Sequence, residues 1–146
     1  MAVSAKIEFE VAAPPSLVME VLMDVPSLPD WSGPHKEAEV LSENEDGKPE
    51  KVRVVVTAAG ISDEQTLAYT WTENSCTWDL IEANQLSEQH GVYVVTPDGE
   101  GSHVEFTLDV ELKIKLPGMI VKRAQKMAVD TARKGLTAEV QRRAAG

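Results

Sequence analysis

Val104-Glu105-Phe106-Thr107-Leu108-Asp109-Val110-Glu111-Leu112-Lys113-Ile114-Lys115-Leu116-Pro117-Gly118 changes period at its end, and the fold follows from that change. Val104, Phe106, Leu108, Val110, Leu112 and Ile114 alternate with polar residues, the period of a strand buried on one face. Leu116-Pro117-Gly118 ends that pattern, and a helical one follows almost to the last residue. At about 100° per residue, Ile120, Val121, Ala124, Met127, Ala128, Thr131 and Gly135 share one face, while Lys122, Arg123, Lys126, Arg133 and Lys134 lie opposite. The inward face is small in volume, with alanines, a threonine and a glycine where leucines are usual. Such a face either sits very close to its partner sheet or leaves a space beneath it.

Upstream, Val3, Ala5, Ile7, Phe9 and Val11 alternate with Ser4, Lys6, Glu8 and Glu10, which reads as a half-buried first strand. Ala13-Pro14-Pro15-Ser16 breaks it and opens a helix carrying Leu17, Val18, Val21 and Leu22, with proline where its missing N–H costs little. Pro26 and Pro29 forbid a continuous helix, so residues 25–31 form a second short helix or turn ending at Trp31. Ser32-Gly33-Pro34 then punctuates the start of a meander with strands over 36–43, 51–58, 65–72, 77–82 and 87–96. The turns between them are Asn44-Glu45-Asp46-Gly47, the region of Gly60, Glu73-Asn74-Ser75 and Ala83-Asn84. Pro97-Asp98-Gly99-Glu100-Gly101 is the last turn, leading into the decisive strand.

One strand, two short helices, six strands and one long helix form an α+β pattern with few physical solutions. Seven antiparallel strands must hide one face, and the two short helices are too small to cover it. A helix of about 27 residues spans about 40 Å. That is enough to cross a curved antiparallel sheet and cover its concave side. The expected architecture is a seven-stranded curved sheet wrapped around the C-terminal helix.

The chain of 146 residues is expected to form a single domain over residues 1–146, and no apolar run approaches the length of a membrane span. The alternating N-terminus reads as neither a signal peptide nor a transit sequence. The single cysteine, Cys76, excludes an internal disulfide and suits a cytoplasmic protein. The net charge of −10 is uneven: residues 117–146 carry seven Lys/Arg against two Asp/Glu, so the rest of the chain is strongly acidic. An acidic body repels phosphate and disfavours nucleic acid as a partner. The basic helix face reads either as a solvated surface or as a peripheral contact for an anionic membrane or an acidic partner. Monomer and homodimer both remain open.

Several stretches resemble the START-like (SRPBCC) helix-grip superfamily, which includes Bet v 1-type proteins, and within it the bacterial polyketide cyclase/dehydrase and coenzyme Q-binding Coq10-like branch. They are Ile7-Glu8-Phe9 with Ala13-Pro14-Pro15, Asp24 to Trp31, Thr77-Trp78-Asp79-Leu80, Gly91-Val92-Tyr93 and Leu116-Pro117-Gly118. The resemblance spans nearly the whole chain. It implies a deep apolar cavity between helix and sheet that takes a hydrophobic small molecule such as a lipid, quinone or polyketide. No metal and no cofactor are expected.

Trp78, Leu80, Phe106 and Leu108 are candidates for the cavity wall, since aromatic rings give large contact area to a planar apolar ligand. Val54 and Tyr93 join them. Tyr69 and Trp71 share one face of their strand, and its parity leaves open whether that face is concave or convex. Trp31 either caps one end of the cavity or plugs the core. Ile120, Met127 and Thr131 offer ligand contacts from the helix.

Arg53 stands alone among Val52, Val54, Val55 and Val56; facing inward it would hold an anionic ligand group, and facing outward it would pair with nearby glutamates. His35, His90 and His103 are widely separated and read as surface or satisfied residues, without the spacing of a metal site or a nucleophilic triad. Two functions follow: a carrier or sensor of a hydrophobic molecule, or an aromatase/cyclase or dehydratase using Arg53, Tyr69, Tyr93 and His90. The enzyme reading requires at least two of those four to point into one cavity.

Overall fold

A computed structural model describes all 146 residues. The first strand, β1 (Ala2–Val11), is followed by α1 (Pro15–Met23), a single 3-10 turn at Val25–Ser27, and α2 (Leu28–Trp31). Six strands come next: β2 (His35–Glu43), β3 (Pro49–Ala58), β4 (Ile61–Thr72), β5 (Ser75–Ala83), β6 (Leu86–Asp98) and β7 (Gly101–Leu112). They pair antiparallel in the order β1-β7-β6-β5-β4-β3-β2, so the first strand closes against the last and α1 and α2 cross from one sheet edge to the other. The seven-stranded sheet, the two short helices and the long terminal helix are those expected from the sequence pattern.

The terminal helix has three parts: α3 (Gly118–Asp130), a π-helical turn at Thr131–Gly135, and α4 (Leu136–Ala145). The two possibilities left open by its small inner face are both realised, one in each half. No residue of α3 is buried. By contrast, Ala132, Leu136 and Val140 in the second half are at most 1% exposed. There they join Val18, Val21 and Val25 from the region of α1, and Val11, Val52, Val95 and Val104 from the sheet, in one apolar cluster. The packed core therefore occupies the α1/α4 end of the sheet, while α3 bridges the other end.

Polar contacts fasten α4 where the core is densest. The guanidinium of Arg143 donates to Asp24 Oδ2 at 2.8 Å and to Glu139 Oε2 at 2.8 Å, and Arg142 forms a two-pronged contact with the same Glu139 carboxylate. Glu139 is buried, and the two guanidiniums hold its carboxyl down at about 2.

Most strands run one to four residues past their expected bounds at one or both ends, and two of the differences change which side chains face inward. β4 begins at Ile61 rather than at residue 65, because Ala59 (φ 51°) and Gly60 (φ 82°) make a tight hairpin turn that returns the chain to the ladder at once. That extension brings Asp63 inside. β7 ends at Leu112, and Ile114, expected to continue the inward row, is 44% exposed.

Candidate functional site

Alternation turns aromatic rings inward from four neighbouring strands, and Tyr69 on β4, Trp78 on β5, Tyr93 on β6 and Phe106 on β7 form a continuous row. Ring centroids are 5.7 Å apart for Tyr69–Trp78, 5.7 Å for Trp78–Tyr93 and 4.9 Å for Tyr93–Phe106. This belt crosses the concave face. On one side of it the core is packed; on the other lies a cavity of about 260 Å³, of whose 33 lining residues 24 are hydrophobic. From the helix, Val121, Ala124, Met127, Ala128 and Thr131 face it across the gap left by their short side chains.

Gly91 lies opposite Trp78 in the β5–β6 ladder, and a β-carbon there would fall inside the indole ring. The missing side chain lets the indole lie across β6, where its Nε1–H donates to Gln89 Oε1 at 3.0 Å. Gln89 Nε2 in turn donates to Gln65 Oε1 at 2.9 Å, and Gln65 Nε2 to Asp63 Oδ2 at 3.3 Å. Asp63 Oδ1 also accepts the backbone N–H groups of Asn84 at 2.9 Å and Gln85 at 3.1 Å. Asp63, Gln65 and Gln89 all line the cavity, a connected polar strip on a mostly apolar wall.

His35 reaches the cavity from the β2 edge, beside Ser32, whose Oγ lies 2.6 Å from its Nδ1. Burial lowers its pKa to about 4, so the ring is neutral at physiological pH. Burial likewise pushes the phenols of Tyr69 and Tyr93 well up, and pushes the Cys76 thiol to about 12. No lysine or arginine lines the cavity. Next to it, sharing Pro34, Met127 and Thr131, is a polar recess edged by Lys36, Arg123, Lys126 and Asp130.

Of the residues expected to contact a ligand, Trp31, Tyr69, Trp78, Tyr93, Phe106, Leu108, Met127 and Thr131 line the cavity. Four do not. Val54 is fully buried in the packed core. Trp71 has the inward parity of Tyr69 and stacks on it at 5.6 Å, but it lies beyond the belt, where its Nε1 donates to the Pro49 carbonyl at 2.6 Å. Leu80 packs against the core opposite Leu67. Ile120 is half-buried in the first turn of α3, and Val121 takes the wall position instead.

Arg53 faces outward, paired with Glu64 at 2.9 Å and with Glu37 and Glu39 at 3.3 Å each, so the inward alternative falls away. His90 also lies on the outer face, 2.7 Å from Asp79. Strand pairing carries His103 to Glu8, Glu10 and Glu105 on that face, a grouping invisible in the linear sequence. Hydrogen bonds that its ring N–H groups donate to the Glu10 and Glu8 carboxylates raise its pKa to about 9, making it a cation among carboxylates. Asp63, Gln65 and Gln89 are polar cavity residues that sequence reading passed over, and His35, read there as a surface or satisfied residue, is satisfied by Ser32 at the cavity edge. For the first three the one available signal was inward parity, which marks Gln65 two residues before Leu67 and Gln89 two before Gly91.

Residues 2–145 match the family described as polyketide cyclase / dehydrase and lipid transport, and the chain belongs to that family. Solved structures bear out the fold. A START superfamily protein from Mycobacterium smegmatis is 26% identical, with 97% of each chain covered and a TM-score of 0.84. A protein from Thermus thermophilus is 26% identical over 94% of this chain and 97% of its own, with a TM-score of 0.80. The Zhui aromatase/cyclase from a Streptomyces species is 22% identical over 99% of this chain and 96% of its own, with a TM-score of 0.83. Among curated proteins no sequence matches. No helix is long and apolar enough to cross a membrane.

Proposed function

We propose that the protein binds and carries a hydrophobic small molecule, of the lipid, quinone or polyketide kind, in the cavity between α3 and the sheet. The cavity itself carries this reading. Left dry and unrelaxed, a hollow of about 260 Å³ would cost about 6 kcal/mol at roughly 24 cal/mol per Å³. That is comparable to the whole stability of a typical domain, about 5–15 kcal/mol. The wall is too apolar to hold water over most of its extent, since a buried water needs two to four polar partners. An apolar ligand removes the cost, and the family description fits it.

Native mass spectrometry of protein purified gently from its own host tests this. The expected spectrum shows a one-to-one complex with a hydrophobic molecule that dissociates on denaturation, and the same molecule raises the melting temperature of stripped protein. Apolar ligands that neither bind nor stabilise the stripped protein would defeat the reading.

One observation favours a second reading, catalysis on a polyketide-like chain. Tyr69 and Tyr93 both reach the cavity, flanking Trp78, whereas Arg53 and His90 lie outside it. Phenols kept protonated by burial donate hydrogen bonds to an enolate oxygen rather than remove protons. If so, replacing both tyrosines with Phe abolishes turnover of a poly-β-ketone substrate and leaves its binding intact. Conversion unchanged by that replacement would remove the second reading.

A further inference from the structure

The hydrogen-bonded strip Trp78–Gln89–Gln65–Asp63 has only one possible direction. An indole N–H donates and never accepts, while Asp63 accepts from three separate N–H groups. Between those ends each glutamine has to turn its oxygen toward Trp78 and its nitrogen toward Asp63. Flipping either amide would set donor against donor or acceptor against acceptor, so the orientation of both follows from their neighbours. One N–H on Gln65 and one on Gln89 take no part in the strip. Both residues line the cavity, Gln65 buried at 7% exposed and Gln89 half-buried. Buried N–H groups without an acceptor are rarer and costlier than carbonyl oxygens with a spare lone pair. The wall therefore calls for an acceptor atom on whatever occupies the space.

The charge of that acceptor is also constrained. No lysine or arginine lines the cavity, Asp63 is its only carboxylate, and His35 beside Ser32 is a neutral ring. An anionic group brought to the strip would lose its hydration, meet no counter-ion and approach Asp63. We propose that Gln65 and Gln89 form a hydrogen-bonding subsite for a neutral carbonyl oxygen on an otherwise apolar ligand, a ketone, quinone or ester rather than a carboxylate. The subsite rests on the reading of the cavity as a hydrophobic-ligand site, and narrows it to oxygenated, uncharged molecules at this wall.

Three tricyclic probes with one skeleton separate the possibilities: fluorene, fluorenone and fluorene carboxylate, titrated into ligand-stripped protein. Wild type is expected to bind fluorenone about 3- to 10-fold tighter than fluorene, the range of one to two net hydrogen bonds, and to bind the carboxylate most weakly. Replacing the amides with the unbranched Gln65→Met and Gln89→Met, singly and together, should bring the fluorenone-to-fluorene ratio to about one without weakening fluorene.

The infrared carbonyl stretch of fluorenone bound to wild type gives a readout independent of any variant's folding, and it should move to lower frequency. An unshifted stretch, equal wild-type affinities for fluorene and fluorenone, or a preference that survives both substitutions would overturn the subsite while leaving the cavity reading in place. Failure of wild type to bind any of the three would overturn both.

Discussion

Gly135 faces the backbone carbonyl of Trp31 so closely that a β-carbon on it would overlap the oxygen. This contact stands where the helix passes from its hollow half to its packed half, inside the π-helical turn. It holds α2, and with it the Trp31 ring on the cavity wall, against the helix. In an exposed helix, Gly→Ala would stabilise by about 1 kcal/mol. Here Gly135→Ala should instead destabilise by about 1–3 kcal/mol, the usual cost of overpacking, because the obstacle is backbone and has no rotamer to yield. Urea denaturation compared with wild type checks the sign.

His35 and His103 should titrate on opposite sides of the ordinary histidine value. His35, desolvated beside the cavity, has a folded pKa of about 4 against an ordinary 6.5. The unfolded chain therefore binds that proton more readily, so the stability tied to His35 is complete above about pH 6.5 and declines as pH falls toward 4. His103, with a folded pKa of about 9, behaves oppositely: its contribution is complete below pH 6.5 and is lost as pH rises through 9. Imidazole proton chemical shifts followed from about pH 3 to 10 on wild type, His35→Gln and His103→Gln check both, in a span set by about one unit beyond each value. Two histidines titrating together near the ordinary value would contradict the buried and carboxylate-caged environments described here.

The clasp on α4 gives a third expectation. Glu139→Gln removes the charge that both Arg142 and Arg143 address and should cost about 1.5–3 kcal/mol, the range for hydrogen bonds to charged groups. Because the Glu139 pKa is depressed to about 2 from an ordinary 4.5, its contribution is complete above about pH 4.5 and disappears as pH falls toward 2. Melting curves across that interval should therefore show the variant and wild type converging at the acid end. A constant gap between them would contradict the charged clasp.

Much of this arrangement was legible in the sequence, because a strand buried on one face writes that face at every second residue. The inward rows of β1 and β7 could be read off directly, whereas alternation put Tyr69 with Trp71 and Trp78 with Leu80 without saying whether the shared face was concave, and only strand pairing turned both inward. Parity carries no information on distance along the strand. Whether a side chain falls on the packed or the hollow side of the aromatic belt depends on where the helix stops being buried, at the turn containing Thr131 and Gly135.

Asp63 was hidden for a different reason. Ser62-Asp63-Glu64 has poor strand propensity, and only pairing with β3, together with the Asn84 and Gln85 amides, holds it in the ladder. The polar strip needed three strands in register before Gln65 and Gln89 became neighbours, and no local pattern reports that. His35 opens β2 right after Pro34, where the linear pattern shows a loop and the burial comes from elements far along the chain.

The space beneath α3 is the claim on which the account rests, and filling it from the helix side tests it most directly. Ala124→Phe and Ala128→Phe each place a ring where the wall now carries a methyl group. Titration of an apolar fluorescent probe into wild type and each variant, with melting temperature recorded alongside, is the measurement. The account predicts one-to-one binding to wild type, a loss of at least about tenfold in the variants (about 1.4 kcal/mol), and melting temperatures equal to or above that of wild type. Probe binding undiminished by the added rings, or variants that unfold because no hollow was there to receive them, would contradict it.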